Sequence, residues 1–257
     1  MGDTFISFFR YNSDEIMDIR IIVAVHKPYD IPEDEMYLPV FVGSAVSKAE
    51  LPYQRDDQGE NISALNRYYC ELTGLYWAYR NLHGFGYLGL NHYRRYFKRN
   101  GHLLKEEEAE TLLQRYPVIL PKKRHYYIET IYSQYAHAHG SIGLDTAREV
   151  IREHHPEYLD AFDRCMKKRS LHLFNMFIMR KDIFEDYCCF LFDVLAKVRE
   201  KLGEADRLYG FLGERLLDVY LAKNTISYAE LPVLHTEPID WGKKIVSFIK
   251  RKYGSKQ

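Results

Sequence analysis

One stretch constrains the fold more than any other: Gly86 to Phe97, Gly-Tyr-Leu-Gly-Leu-Asn-His-Tyr-Arg-Arg-Tyr-Phe. Its first half is apolar and small, with Tyr87, Leu88 and Leu90 set between Gly86 and Gly89. A short apolar run of this kind reads as a buried strand. Its second half sets Asn91, His92, Arg94 and Arg95 on the end of that strand. In an open α/β sheet, ligands bind in the crevice beyond the carboxyl ends of the strands. Paired arginines there offer fork-shaped donors that fit a phosphate or a carboxylate. The competing reading is a surface turn with solvated arginines.

A β-branched run, Ile19 to Val25, is the clearest strand in the chain and ends in His26-Lys27-Pro28. Nucleotide-binding α/β domains commonly begin this way. No Gly-x-Gly-x-x-Gly follows it, and no Gly-Lys-Ser/Thr phosphate loop occurs anywhere, which argues against the common dinucleotide and P-loop sites. Leu38 to Val42 reads as a second strand. The polar loop Arg55 to Ser63 carries Asp56 and Asp57, which suit a metal, a ribose or a sugar hydroxyl, or simply a turn. Asn61 or Ser63 caps a helix running to about Leu82. Leu65, Tyr68, Tyr69, Leu72, Leu75, Tyr76 and Tyr79 form its core face, and Glu71 among them needs a partner if buried.

Further on, helices are expected over Lys105–Arg115, Asp145–His154, Pro156 to about Lys168, Lys181–Leu202 and Tyr209–Leu221. Strands are expected over Val118–Lys122, Leu171–Met179 and Ala229–Leu234. Asn175 interrupts the second of these and must be hydrogen-bonded if buried. Lys122 to His125 forms a basic loop. His137 and His139 do not share a helical face, so they make a poor zinc pair.

At 257 residues the chain is long enough for one large α/β domain or two small ones. Its 36 Lys+Arg balance 36 Asp+Glu, which removes the global field expected of a nucleic-acid binder. The 22 tyrosines suit a cleft for sugars or bases, which present both flat faces and hydroxyls. Cys70, Cys165, Cys188 and Cys189 show no Cys-x-x-Cys spacing. With no signal peptide and no transmembrane-length apolar run, they point to a cytoplasmic protein, or one held at a membrane surface.

Six segments, taken in order, resemble one family. They are Val23 to Pro28, Arg55 to Ser63, Glu71 to Trp77, Gly89 to Phe97, Phe174 to Met179 and Gly213 to Leu217. Each is weak alone, but together they are similar to bacterial capsular and exopolysaccharide glycosyltransferases long filed as a domain of unknown function. The similarity runs from about Ile19 to about Pro238. It implies a single GT-A-like α/β domain over 19–238, with a Rossmann-like central mixed sheet flanked by helices, a leader over 1–18 and a tail over 239–257. It implies a UDP-sugar donor, with galactose or galactofuranose as the hexose, and a lipid-linked or oligosaccharide acceptor. The donor residues expected from it are His26, Lys27, Asp56, Asp57, Asn61, Asn91, His92, Arg94, Arg95 and Asn175. GT-A enzymes typically place Asp-x-Asp at the end of a central strand to hold a divalent metal, whereas here that place holds Asn91 to Arg95. Cationic side chains can stabilise the leaving diphosphate as a metal would. A metal-independent, inverting enzyme is therefore expected, with Asp56 and Asp57 the place for a manganese ion if one is used. Glu214 is the first choice of general base and Asp145 the second; a pairing of Glu214 with a neighbouring arginine is the plain alternative. A binding module with the same fold, or a phosphate-ester hydrolase using His92 and the arginines, are the competing functions. The tail joins Ile245, Val246, Phe248 and Ile249 to Lys243, Lys244, Lys250, Arg251 and Lys252, a composition suited to an anionic membrane surface.

Overall fold

The computed structural model describes residues 18–237; the leader short of Asp18, and the tail, lie outside the described residues. The strands are β1 (Ile19–Val25), β2 (Tyr37–Phe41), β3 (Gln54–Arg55), β4 (Tyr87–His92), β5 (Arg95–Arg99), β6 (His102–Leu103), β7 (Val118–Pro121), β8 (Arg124–His125), β9 (Ser170–Leu171), β10 (Phe177–Arg180), β11 (Ala229–Leu231) and β12 (Val233–His235). The α-helices are α1 (Asn66–Tyr69), α2 (Leu72–Asn81), α3 (Glu106–Leu113), α4 (Ile131–His139), α5 (Ile142–His154), α6 (Leu159–Lys167), α7 (Lys181–Leu202) and α8 (Leu208–Asn224).

The main sheet has the order β11-β7-β10-β4-β1-β2-β3. β1 lies inside it, parallel to β2 on one side and to β4, the central strand, on the other, and β10 runs antiparallel to both β4 and β7. This is the mixed α/β architecture expected from the sequence. β1 is apolar except for Arg20, near its start, because both of its faces are covered. Ile22 and Ala24, with Leu88 and Leu90 of β4, pack under the larger helical layer that includes α2, α7 and α8. Ile19, Ile21, Val23 and Val25 face a smaller layer holding Tyr37, Tyr96, Phe97 and Leu113. Gly89 is required where β4 meets β10, since a Cβ there would come within 2.9 Å of the Phe177 carbonyl oxygen.

Three expected elements are divided, each for a physical reason. The helix expected from Asn61 or Ser63 to Leu82 breaks at Cys70, which has φ 54°, and the break turns Glu71 away from a continuous core face. Asn66 stabilises the break by donating from Nδ2 to the Cys70 carbonyl at 2.8 Å. The strand expected over Leu171–Met179 is interrupted by Phe174 and Asn175, with φ of 76° and 52°, so only Phe177–Arg180 joins the main sheet. The strand expected over Ala229–Leu234 becomes two. Pro232 separates β11, which is parallel to β7, from β12, which is antiparallel to β5.

Candidate active site

From β1 the chain moves outward to β2 and β3, then returns to lay β4 on the other side of β1. Where a parallel sheet reverses direction in this way, the loops after the two strands diverge and leave a crevice. Here it is a cavity of about 600 Å³. His26 lines it from β1, Phe41 to Gly43 from β2, and His92, Tyr93, Arg94 and Arg95 from β4 and β5. Glu71, Asp206 and Arg207 complete the opposing wall.

The β4–β5 hairpin arranges the cationic side. Its two-residue turn is Tyr93-Arg94, so His92 and Arg95 face one another across the ladder. The Tyr93 ring packs edge-on against His26 and Tyr29, at 5.1 Å and 4.8 Å. The Lys27 ammonium and the Arg94 guanidinium sit 5.2 Å and 5.1 Å from the Tyr93 ring centroid. Both cations hold the Glu237 carboxylate, Lys27 at 3.1 Å and Arg94 at 3.3 Å. β12 brings Glu237 there by pairing with β5. Burial, and then the charge of Arg94, hold His26 below its ordinary pKa, which favours the neutral imidazole.

The inner end is built on the strained pair Phe174-Asn175. Four hydrogen bonds over-determine these left-handed residues, as such strain requires. The Phe174 N–H donates to Glu214 Oε1 at 3.0 Å. The Phe174 carbonyl accepts from His92 Nε2 at 2.6 Å; a carbonyl can only accept, so Nε2 carries the hydrogen. Asn175 Nδ2 donates to Glu71 Oε1 at 2.6 Å and to the Gly210 carbonyl at 3.1 Å. Upstream, His172 ties the segment down with Asp218 at one ring nitrogen (2.6 Å) and Glu230 at the other (3.0 Å). Gly213 leaves room for Asn175, since a Cβ there would lie 3.0 Å from Asn175 Oδ1.

Glu214 also accepts from Arg215 Nη1 at 2.6 Å, so the arginine pairing considered from the sequence is formed. Burial nevertheless raises the Glu214 carboxyl above the usual carboxylate range; Arg215 partly offsets this and the nearby Glu71 carboxylate adds to it. Arg95 lies between the two halves. It packs 4.3 Å over the Phe174 ring, and its buried Nε has no partner. Asn175 Oδ1 and Arg215 Nε are likewise buried without partners, so orphaned polar atoms gather at this end of the site. Such groups are what a bound polar ligand would satisfy.

Of the residues expected from sequence, His26, His92, Arg94 and Arg95 line the cavity, and Lys27 joins them through Glu237. Asn175 and Glu214 stand directly behind it. The others are corrected. Asp56 is fully buried and is a scaffold residue rather than a ligand. Its oxygens accept from Gly43 N (2.9 Å), Ser44 N (3.1 Å), Ser44 Oγ (3.0 Å) and Ser63 Oγ (2.5 Å), which fixes the loop after β2. Asp57 is committed to Arg55 at 3.0 Å and 2.6 Å, and Asn61 Nδ2 donates to the Asp57 and Gly59 carbonyls. Asn91 alternates to the opposite face of β4 from His92, where it is buried among the smaller layer with neither amide atom partnered. Asp145 is exposed on α5 and accepts from the Tyr132 hydroxyl, with no place in the cavity. Glu71 lines the cavity yet was expected only as a core carboxylate needing a partner. Among the described residues, no group of three or more His, Cys, Asp and Glu side chains is placed to hold a metal ion.

The family model described as Domain of unknown function (DUF4422) matches residues 20–225. No protein of curated function matches the chain. A solved structure of WbbM, a bifunctional glycosyltransferase in its apo form, superposes with a TM-score of 0.76 at 27% sequence identity. The match covers 86% of this chain but 46% of that one, so the chain spans under half of the WbbM protein's length.

Proposed function

The chain belongs to the DUF4422 family, and on that premise we propose that it is a glycosyltransferase. In this reading a UDP-linked hexose, galactose or galactofuranose, enters the cavity and is passed to a lipid-linked or oligosaccharide acceptor of a surface polysaccharide. The observation that carries the reading is one switch-point cavity lined by Arg94, Arg95 and Glu71, with Lys27 joined to Arg94 through Glu237 and Glu214 held behind the lining by the Phe174 N–H. Lys27 and Arg94 already hold one anion, the Glu237 carboxylate. A diphosphate taking its place would meet the same two cations, with Arg95 behind them. Charge on the leaving diphosphate grows as the sugar–oxygen bond breaks, and fixed cations stabilise that growth without a metal. Glu214, raised by burial, takes the proton of the acceptor hydroxyl as its oxygen bonds the anomeric carbon, giving inversion. Glu71 is the second reading for the base, because it lines the cavity directly.

Incubation with UDP-galactose and with UDP-galactofuranose tests the proposal. Release of UDP, accelerated by an acceptor, is expected. Binding without turnover would make the protein a binding module, and release of inorganic phosphate would make it a hydrolase. Among the described residues, no helix is long and apolar enough to cross a membrane. Contact with a membrane through the 239–257 tail is part of the proposal and rests on composition alone.

A further inference from the structure

Of the exposed large apolar side chains, Val46 (62%) lines the cavity, whereas two others stand together away from it. Tyr127 is 88% exposed and Ile128 61%, side by side on the loop between β8 and α4; Tyr132, the second residue of α4, is 38% exposed. This loop lies along the segment that precedes β9. Tyr126 N–H donates to the Arg169 carbonyl at 2.6 Å, Ile131 N–H to the Lys168 carbonyl at 2.8 Å, and Arg169 Nη1 to the Tyr127 carbonyl at 3.4 Å. The two segments thereby gather Lys122, Arg124, Lys167, Lys168 and Arg169, all exposed, around the apolar pair. Among the described residues no carboxylate is paired with any of the five. The nearest acidic residue in sequence, Glu129, is committed to His137 at 2.7 Å.

We propose that the Tyr127-Ile128 ridge and its ring of cations are a docking surface for an anionic lipid bilayer. A ridge of two protruding apolar residues is too narrow for the core of a protein interface, which needs a contiguous buried patch. It does suit insertion into a headgroup layer, where apolar tips enter and cations meet lipid phosphates. Its place in the fold gives docking a consequence. Tyr126, next to the ridge, is tucked against the main core within electrostatic range of Arg215 and Glu214. Docking here would therefore hold the carboxylate-bearing end of the cavity beside the membrane. The inference stands apart from the transferase reading, because it concerns where the protein sits and not what it catalyses.

The test uses the full chain with phosphatidylglycerol-containing and pure phosphatidylcholine vesicles. A Tyr127→Trp reporter in a Trp241→Phe background separates the ridge from the tail, since Trp77 is buried and spectrally constant. A blue shift on the anionic vesicles alone, quenched by brominated lipid, is expected. Tyr127→Ser with Ile128→Ser should weaken vesicle binding about tenfold or more, and Lys168→Glu about fivefold or more, with unchanged melting temperatures. The proposal is overturned if the protein sediments with the vesicles while the reporter at 127 stays in water. It is equally overturned if the protein does not sediment at low salt. Self-association abolished by Tyr127→Ser, without vesicle binding, would make the ridge an interface between copies of this chain and would also overturn it.

Discussion

Asp56→Asn separates a scaffold from a ligand. The carboxylate accepts three hydrogen bonds at Oδ1, from Ser44 N, Ser44 Oγ and Ser63 Oγ, and one at Oδ2, from Gly43 N. An amide of the same shape must present its NH₂ group to one of these two sets. In the less damaging orientation it faces the Gly43 N–H, so one bond is lost and a buried donor is orphaned. The other three bonds then go to a neutral oxygen. Loss of a hydrogen bond to a charged group costs about 1.5–3 kcal/mol, with the orphaned N–H at the upper end. For a domain of this size each kcal/mol moves the melting temperature by about 2–4 °C. A fall of roughly 3–12 °C is therefore expected, read by calorimetry, with UDP affinity lowered only through disorder of the Gly43–Ser47 wall. An unchanged melting temperature with abolished UDP binding would refute this reasoning and return Asp56 to the ligand.

Glu214→Gln should lower turnover by about 10²–10⁴ with UDP binding intact. Because burial raises Glu214, kcat/KM should fall on acidification at a pH above the usual carboxylate range, and that limb should vanish in the variant; a limb that persists there and is lost in Glu71→Gln would pass the role to Glu71. Arg94→Ala and Arg95→Ala should each weaken UDP binding roughly ten- to a hundredfold by calorimetry. Arg95→Ala should also lower the melting temperature, since Arg95 packs on Phe174 between the two carboxylates. Activity should survive EDTA, and complete loss restored by manganese would show that Lys27, Arg94 and Arg95 do not replace a metal.

Elements defined by long local patterns were legible. The β-branched run Ile19–Val25 is β1, and Lys181–Leu202 is a helix over the residues expected. Periodicity over seven or more residues carries its own evidence. The breaks were not legible, because a single positive φ at Cys70 or Asn175 is set by tertiary contacts that no window of sequence contains. Asp56 misled for a related reason. A carboxylate in a polar loop looks the same whether it binds a ligand or four donors of its own chain, and three of its donors lie in the loop after β2.

The most instructive pair is Glu71 and Asn175. The sequence marks each as a polar residue inside an apolar run, and each therefore needs a partner. They are 104 residues apart and meet at 2.6 Å, so Glu71 gains a donor and the Asn175 amide nitrogen an acceptor. Neither need have been there if the core were all that mattered, since an apolar residue at each place would avoid desolvating both. What the pair does is structural and local to the cavity. It pins the left-handed Asn175 beside the broken start of α2, and this leaves the Phe174 N–H for Glu214 and the Phe174 carbonyl for His92. One amide side chain thus sets the spacing between the two carboxylates and the imidazole. Asn175→Leu, which keeps the volume but removes the amide, should fold with a lowered melting temperature and lose far more turnover than UDP affinity. Loss of turnover no larger than the loss of UDP affinity would mean that the pair supports the core alone.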